Sequence, residues 1–337
     1  MNEQGRVRNI TDLAKLAGVS PGTVSRALAD SPLIARITRA RIQKIAKEHD
    51  FRPNVMARNL RIRRAGAIGA LMPSVHEAEH GPSDPIKMRL FGHLADALTD
   101  RGYDLILSRV VSDSHNWLNR AAESGRFDGL ILIGHSQQFE ALDALASRYL
   151  PLVVWDADSP GQAHCSVGSD HRKGGELAAQ HLIDRGCRHF AFIGDDNVTE
   201  LSERIAGCRT ALVTAGLDDA LSILPMHSVA QTIHPALVDW LDQTKSASRG
   251  IIASTDMVAL GVLQSLNAQG VSVPDDVRIV GYGDLPFAAH TIPALTTVRP
   301  DLSAVAAKIV EQLFRRIDGE DAPSVMIEPN LLIRQSS

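Results

Sequence analysis

From Gly66 onward the chain repeats one pattern: a short apolar run, a turn, an amphipathic stretch of helical period, then another apolar run. The runs cover residues 68–72, 105–107, 129–133, 152–155, 190–193, 250–253 and 278–281. Strands that alternate with helices pack as parallel sheets, because each crossover helix covers a sheet face between one strand and the next. Two helices read clearly, over 90–101 before Gly102 and over 174–185 before Gly186. Each closes on a basic residue and a glycine suited to the left-handed C-terminal position. The stretch is long enough for two doubly wound lobes of ~100–200 residues each, with a cleft outside the strand ends where such sheets bind ligands.

The first 64 residues have a different character. They hold 14 Lys and Arg against 5 Asp and Glu, a net +9, and the remainder holds 21 against 34, a net −13, so the overall −4 conceals a division. One end suits a polyanion and the other does not. A solvated face is the plain alternative for any basic run, but here the charges fall on a helical pattern. After Thr11, read as an N-cap, Leu13, Ala14, Leu16 and Ala17 recur at helical spacing, and Gly18 ends the helix. Ser20 caps a second helix with Pro21 in its first turn, where a missing N–H costs nothing. Val24 and Leu28 face inward, leaving Gly22, Thr23, Ser25 and Arg26 outward. A third helix carries Ile37, Ile42, Ile45 and Ala46, with Arg39, Arg41, Lys44 and Lys47 on its wet side, and stops near Phe51 and Pro53. Two short helices joined by so tight a turn have the form of a helix-turn-helix, whose second helix enters the DNA major groove.

Over residues 10–28, then at Thr38-Arg39-x-Arg41-Ile42 and Phe51-x-Pro53-Asn54-x-x-Ala57-Arg58-x-Leu60, the chain resembles the lactose/galactose-repressor (LacI/GalR) family of bacterial transcription regulators. The resemblance implies an N-terminal all-α helix-turn-helix headpiece (1–52), a hinge (53–64) and an α/β two-lobed, periplasmic-binding-protein-like effector domain (65–337). The two lobes would be interleaved, with passages near 160, 290 and 323. It places Thr11, Ser20, Pro21, Gly22, Thr23, Ser25 and Arg26 at the DNA, Arg26 being the best guanine reader by its bidentate fork. Pro21 and Gly22, at operator-selecting positions, have no side-chain donor, which leaves van der Waals readout. Asn54, Ala57, Arg58, Leu60 and Arg61 complete the DNA set. In a dimer two hinge helices would pack in the minor groove, with Leu60 wedged into a base step and phosphate contacts from Arg58 and Arg61. An ordinary core leucine is the alternative for Leu60. The hinge is too short for a stable isolated helix, since nucleation is costly below ~12–15 residues. Ala35-Arg36-Ile37 stands where the family usually has a capping Ser and acidic residues.

The same resemblance supplies the effector set. Asp170 lies in Val167-Gly-Ser-Asp170-x-x-x-Gly-Gly175, Arg204 in Arg204-x-x-Gly207, and Asp256 in Ser254-Thr-Asp256-x-x-Ala-x-Gly261. Two carboxylates and a guanidinium suit a polyhydroxylated ligand, the carboxylates accepting from hydroxyls and the fork donating to oxygens. Helix caps are the alternative for Asp170 and Asp256, and an ion pair between lobes for Arg204. Asp284, in Gly281-Tyr282-Gly283-Asp284, is as easily structural. Trp155 and Tyr282 offer a face to a sugar ring or pack in the core. Residues 83–88 lack the aromatic residues that related chains place there, so only Ile86 offers apolar contact from that loop. The family mostly senses sugars, so a carbohydrate is the first expectation for the effector.

Other classes fit less well. Gly18-Val-Ser20-Pro21-Gly22 spells the hydrolase elbow, yet the residue after the serine must lend an N–H to an oxyanion hole and Pro21 has none. His76-Glu-Ala-Glu-His80 spells a zinc motif that needs about two helical turns, but Pro73 and Gly81-Pro82 hem it in. Catalytic residues, a bound metal and a cofactor are therefore not expected. Cys165, Cys187 and Cys208 lack metal-site or redox spacing and read as buried thiols. The polar first nine residues and the lack of a long apolar run suggest a cytoplasmic protein. A solute-binding protein or sugar enzyme with an incidental basic head is the competing reading. A homodimer is expected, because one headpiece covers only a half-site. No leucine-heptad tail suggests a larger assembly.

Overall fold

The computed structural model describes residue 7 and residues 9–51, 64–74, 84–111, 116–134, 139–155, 161–194, 198–225, 235–244 and 248–337. The chain divides into two compact units, with the boundary between Gly66 and Ala67.

The first unit holds α1 (Ile10–Ala17), α2 (Pro21–Leu28) and α3 (Arg36–Glu48). Asn9, not Thr11, caps α1: the Asn9 side chain accepts the Asp12 amide at 3.0 Å, so the helix begins one residue before Thr11. Gly18 takes the left-handed conformation (φ 63°) that ends α1. Ser20 caps α2 through the Thr23 amide at 3.2 Å, with Pro21 at the first helical position. α3 begins at Ala35 without a side-chain cap. Leu13, Val24, Ala27 and Ile42 are fully enclosed and, with Ala14, Ala17 and Ala46, make the core. Each buried Leu or Ile contributes ~1.5–3 kcal/mol. Two α3 side chains on the polar face also tie the helices together. Arg41 donates to the Ala17 carbonyl (3.0 Å) and Arg39 to the Asp30 carbonyl (3.1 Å), the first binding the end of α1 and the second the turn after α2 onto α3. Helix-end carbonyls have no intrahelical donor, so a cation nearby satisfies them.

The second unit contains two six-stranded sheets. In chain order its elements are β1 (Ala67–Ser74), α4 (Pro85–Thr99), β2 (Asp104–Val111), α5 (Trp117–Glu123), β3 (Gly129–Ile133), α6 (Phe139–Ala146), β4 (Leu152–Trp155) and β5 (Cys165–Ser169). There follow α7 (His171–Asp184), β6 (His189–Ile193), α8 (Thr199–Thr214), β7 (Leu221–Leu224), α9 (Pro235–Gln243), β8 (Arg249–Ala253), α10 (Asp256–Ala268), β9 (Val277–Tyr282) and β10 (Thr296–Arg299). The chain closes with α11 (Leu302–Ile317), β11 (Val325–Ile327) and β12 (Asn330–Leu332). The strand orders are β11-β5-β4-β3-β1-β2 and β12-β10-β9-β8-β6-β7. Every described pairing is parallel except β10 with β12. Both lobes therefore reverse strand order at their first strand, between β1 and β3 and between β6 and β8, which are the positions where such sheets open a ligand crevice.

Strand residues alternate between two cores in each lobe. Ile131 and Val153 meet Leu90 and Leu94 of α4 and Ile309 and Leu313 of α11, whereas Leu130, Leu132 and Val154 meet Trp117 and Leu118 of α5. In the second lobe Phe190 and Phe192 pack on α7 and α8, while Ala191 and Ile193 pack with α9 and α10. The chain passes between lobes after β5, after β10 and after β11. The passages lie near 170, 300 and 328, later than the 160, 290 and 323 expected. The extra residues at each place complete a strand on its own sheet. The clear helices begin early as well, α4 at Pro85 and α7 at His171, because Asp84 and Asp170 cap them. Cys165, Cys187 and Cys208 are buried thiols that form no disulfide. Among the described residues no helix is long and apolar enough to cross a membrane, and no group of His, Cys, Asp and Glu could hold a metal ion. The His76–His80 motif lies outside the described residues.

Candidate functional site

In the first unit, α2 buries Val24 and Ala27 and leaves Ser20, Pro21, Gly22 and Arg26 exposed, with Thr23 and Ser25 half-buried. The Ser20 and Thr23 hydroxyls bond each other at 2.9 Å, which fixes both at the helix N-terminus. Thr11 is exposed on α1. The start of α2 thus carries only small side chains, a surface that can approach a groove closely, and the exposed Arg26 stands in its last turn. Asn54, Ala57, Arg58, Leu60 and Arg61 lie outside the described residues.

In the second unit, the site is built by two glycines. A Cβ on Gly175 of α7 would collide with the Arg204 carbonyl, and one on Gly207 of α8 with the Arg172 carbonyl. The two helices touch backbone to backbone at this reciprocal point, and only hydrogen side chains permit it. The approach brings Arg204 onto the start of α7. Its guanidinium carbon lies 3.5 Å from the centroid of the Tyr282 ring. Nη1 donates to the Ser254 carbonyl at 2.5 Å and Nε to His171 Nδ1 at 3.3 Å. The Tyr282 hydroxyl is 3.2 Å from the same Nδ1. Tyr282 is buried against Gly174, and burial pushes its hydroxyl pKa up, opposed by Arg204 and reinforced by Asp170 and Glu200. His171 was not anticipated; its place beside Asp170 in the motif is the signal that could have found it.

The other expected residues separate. Asp170 caps α7 through the Lys173 amide at 2.8 Å, and its own amide donates to Ile327 of the first lobe at 2.9 Å, so it marks the first passage. The cap alternative holds for it, and it also stands next to the Arg204 cluster. Asp256 has no accessible surface. It accepts from Thr297 Oγ1 (2.6 Å) and the Leu285 amide (2.7 Å), and Thr255, not Asp256, caps α10. This corrects its assignment to the ligand set: both oxygens hold the β9–β10 connection, and burial raises its pKa. Asp284 pairs with Arg334 at 2.6 Å, the structural alternative. Trp155 ends β4 half-buried against the first lobe's core. Ile86 reaches across to Gly283, whose position leaves no room for a Cβ. Beside it Arg89 of α4 donates to the carbonyls of Gly283 (2.9 Å) and Asp284 (3.0 Å), a direct bond between lobes that sequence spacing did not reveal.

A basic helix-turn-helix unit in one chain with a two-lobed α/β body, whose second lobe gathers Arg204, Tyr282 and His171, defines a class, the transcription regulators that couple a DNA reader to a small-molecule sensor. Comparison with known proteins agrees. Residues 9–54 match the bacterial regulatory proteins of the lacI family, and residues 179–337 match the periplasmic binding protein-like domain. The chain thus pairs a lacI-family DNA-binding domain with a periplasmic binding protein-like domain, the arrangement of a DNA-binding transcriptional regulator. It is 29% identical to the HTH-type transcriptional repressor PurR of Pasteurella multocida over 97% of this chain and 98% of that protein. It is 28% identical to the sucrose operon repressor of Streptococcus mutans over 96% and 97%. Among solved structures, the transcriptional regulator CelR–cellobiose complex matches with a TM-score of 0.67 at 27% identity, covering 98% of this chain and 100% of that one. The Lac repressor dimer bound to operator and the anti-inducer ONPF matches with a TM-score of 0.79 at 21% identity, over 98% and 99%, a likeness of fold.

Proposed function

We propose that this regulator is a cytoplasmic repressor that binds a pseudo-palindromic operator as a homodimer and releases or grips it according to a carbohydrate held between its lobes. The Arg204–Tyr282–His171 cluster carries the reading, because a guanidinium fork held in place beside Asp170 provides donors for hydroxyl oxygens and a carboxylate for hydroxyl protons. Relatives named for sucrose and cellobiose support that class of effector. Trp155 and Ile86 supply the apolar side from the first lobe. At the DNA, Ser20, Thr23, Ser25 and Thr11 position the headpiece on phosphates. Arg26 reads a guanine edge, and Pro21 and Gly22 allow close contact with base methyl groups. Asn54, Ala57, Arg58, Leu60 and Arg61 form the minor-groove hinge. Two half-sites require two headpieces, hence the dimer.

A gel shift on DNA upstream of the protein's own gene, with a panel of mono- and disaccharides, tests this. Expected are a protected pseudo-palindrome, affinity that falls steeply with salt as phosphate contacts require, and one sugar that changes affinity. Salt-independent binding, or no response to any metabolite tested, contradicts it.

A further inference from the structure

A cavity of about 210 Å³ lies beside α4, and Arg89, His93, Arg299, Asp301 and Ser303 line it. Arg89 and His93 stand one turn apart on α4 and share a face. Arg299 ends β10, and Asp301 and Ser303 open α11, so the cavity straddles the second passage between lobes. We infer that it binds a small oxyanion, a phosphate or a carboxylate. Three observations converge. Two guanidinium groups and an imidazole, from two separate elements, face one space, and the planar fork of arginine matches an oxyanion. Arg89 is already held, with Nη1 on the Gly283 and Asp284 carbonyls, so an anion meets an ordered cation and loses less side-chain entropy on binding. The volume is below the ~300–1,000 Å³ of pockets that enclose larger ligands, and suits a small ion with a few waters. The single carboxylate there, Asp301, turns Oδ1 onto the Ala304 amide at 3.0 Å, where the start of α11 offsets its charge. The site shares no residue with the sugar cleft proposed above.

Calorimetric titration of the full chain with sodium phosphate and, separately, sodium acetate, at ionic strength matched with chloride, tests the site. Saturable binding of at least one anion is expected, and Arg299→Gln and His93→Gln should each weaken it roughly tenfold, the loss typical of a charged hydrogen bond. Arg209→Gln, an exposed arginine on α8, serves as the control and should leave it unchanged. Binding of phosphate alone assigns a phosphoryl ligand, and binding of acetate alone a carboxylate. Arg299 is exposed, so its variant folds, and melting temperature without anion verifies this. Absence of saturable binding by either anion, or equal affinity in the Arg299 and Arg209 variants, overturns the inference. The titration contains neither DNA nor sugar, so a negative result leaves the operator reading standing.

Discussion

The Arg204 guanidinium carbon lies over Tyr282, 3.5 Å from the ring centroid, while its Nε and Nη1 are turned to His171 and to the Ser254 carbonyl. A cation on an aromatic face gains ~0.5–2 kcal/mol, more as water is excluded. The geometry holds the guanidinium in one orientation before any ligand arrives, which lowers the ordering cost of binding. Lysine keeps the charge and loses both the plane and the fork. Arg204→Lys should therefore reduce effector affinity roughly tenfold or more, about 1.4 kcal/mol or above, with operator affinity in the absence of effector unchanged. Tyr282→Phe keeps the face and removes only the hydroxyl next to His171, so its effect should be several times smaller. Titrating each variant with the active sugar in a fluorescence-anisotropy DNA assay separates the two, and an Arg204→Lys protein with normal effector response contradicts the assignment.

Much of this arrangement was legible in the chain, and the parts that were not share a cause. The alternation of strands and helices is visible because burial on two faces imposes period 2 on strands and 3.6 on helices, and the structure has both lobes. Asp170 and Arg204 were singled out through motifs whose glycines have a visible structural role: Gly175 and Gly207 are where two backbones meet. Asp256 was misplaced because a motif gives a residue type and not its exposure. A carboxylate at a helix start reads alike whether it faces a ligand or Thr297. Arg89 gave no signal at all, since its partners are backbone carbonyls 194 and 195 residues further along, and a carbonyl leaves no mark on sequence. The passages between lobes were set too early because a parallel strand that joins an edge, such as β11 on β5, is only three residues long and lies below the resolution of any periodicity.

The uncapped start of α3 is a correctable defect. Ala35 has no side-chain oxygen for the first amides, and Arg36 and Arg39 oppose the helix dipole. Ala35 is exposed, so a longer side chain meets no obstacle there. Ala35→Asp should stabilise the first unit by ~1 kcal/mol, through the new cap and a charge that complements the dipole. Amide hydrogen exchange across α3 in the full chain should slow about fivefold in consequence. Unchanged exchange would mean that α3 opens without breaking its first turn.

His181 makes the stability of the second lobe dependent on pH. It lies on α7, 8% exposed, with Nε2 2.8 Å from the Ser337 hydroxyl. Burial lowers its pKa below the ordinary 6.5, Arg185 lowers it further, and Asp184 opposes the shift. The folded state thus holds a proton on this ring less tightly than the unfolded chain does. Above about pH 6.5 the ring is neutral in both states and its contribution is fully present. As pH falls through that value the unfolded chain takes up a proton that the fold resists, and stability declines until the folded pKa is reached. Replacing the ring with an uncharged amide, His181→Gln, should flatten the difference. The melting temperature of the variant should fall less than that of the parent between pH 7.5 and pH 5.5, although it starts lower from lost packing. The two proteins are otherwise identical, so parallel curves over that interval would mean that His181 releases no such strain and takes its proton in the folded lobe as readily as in the open chain.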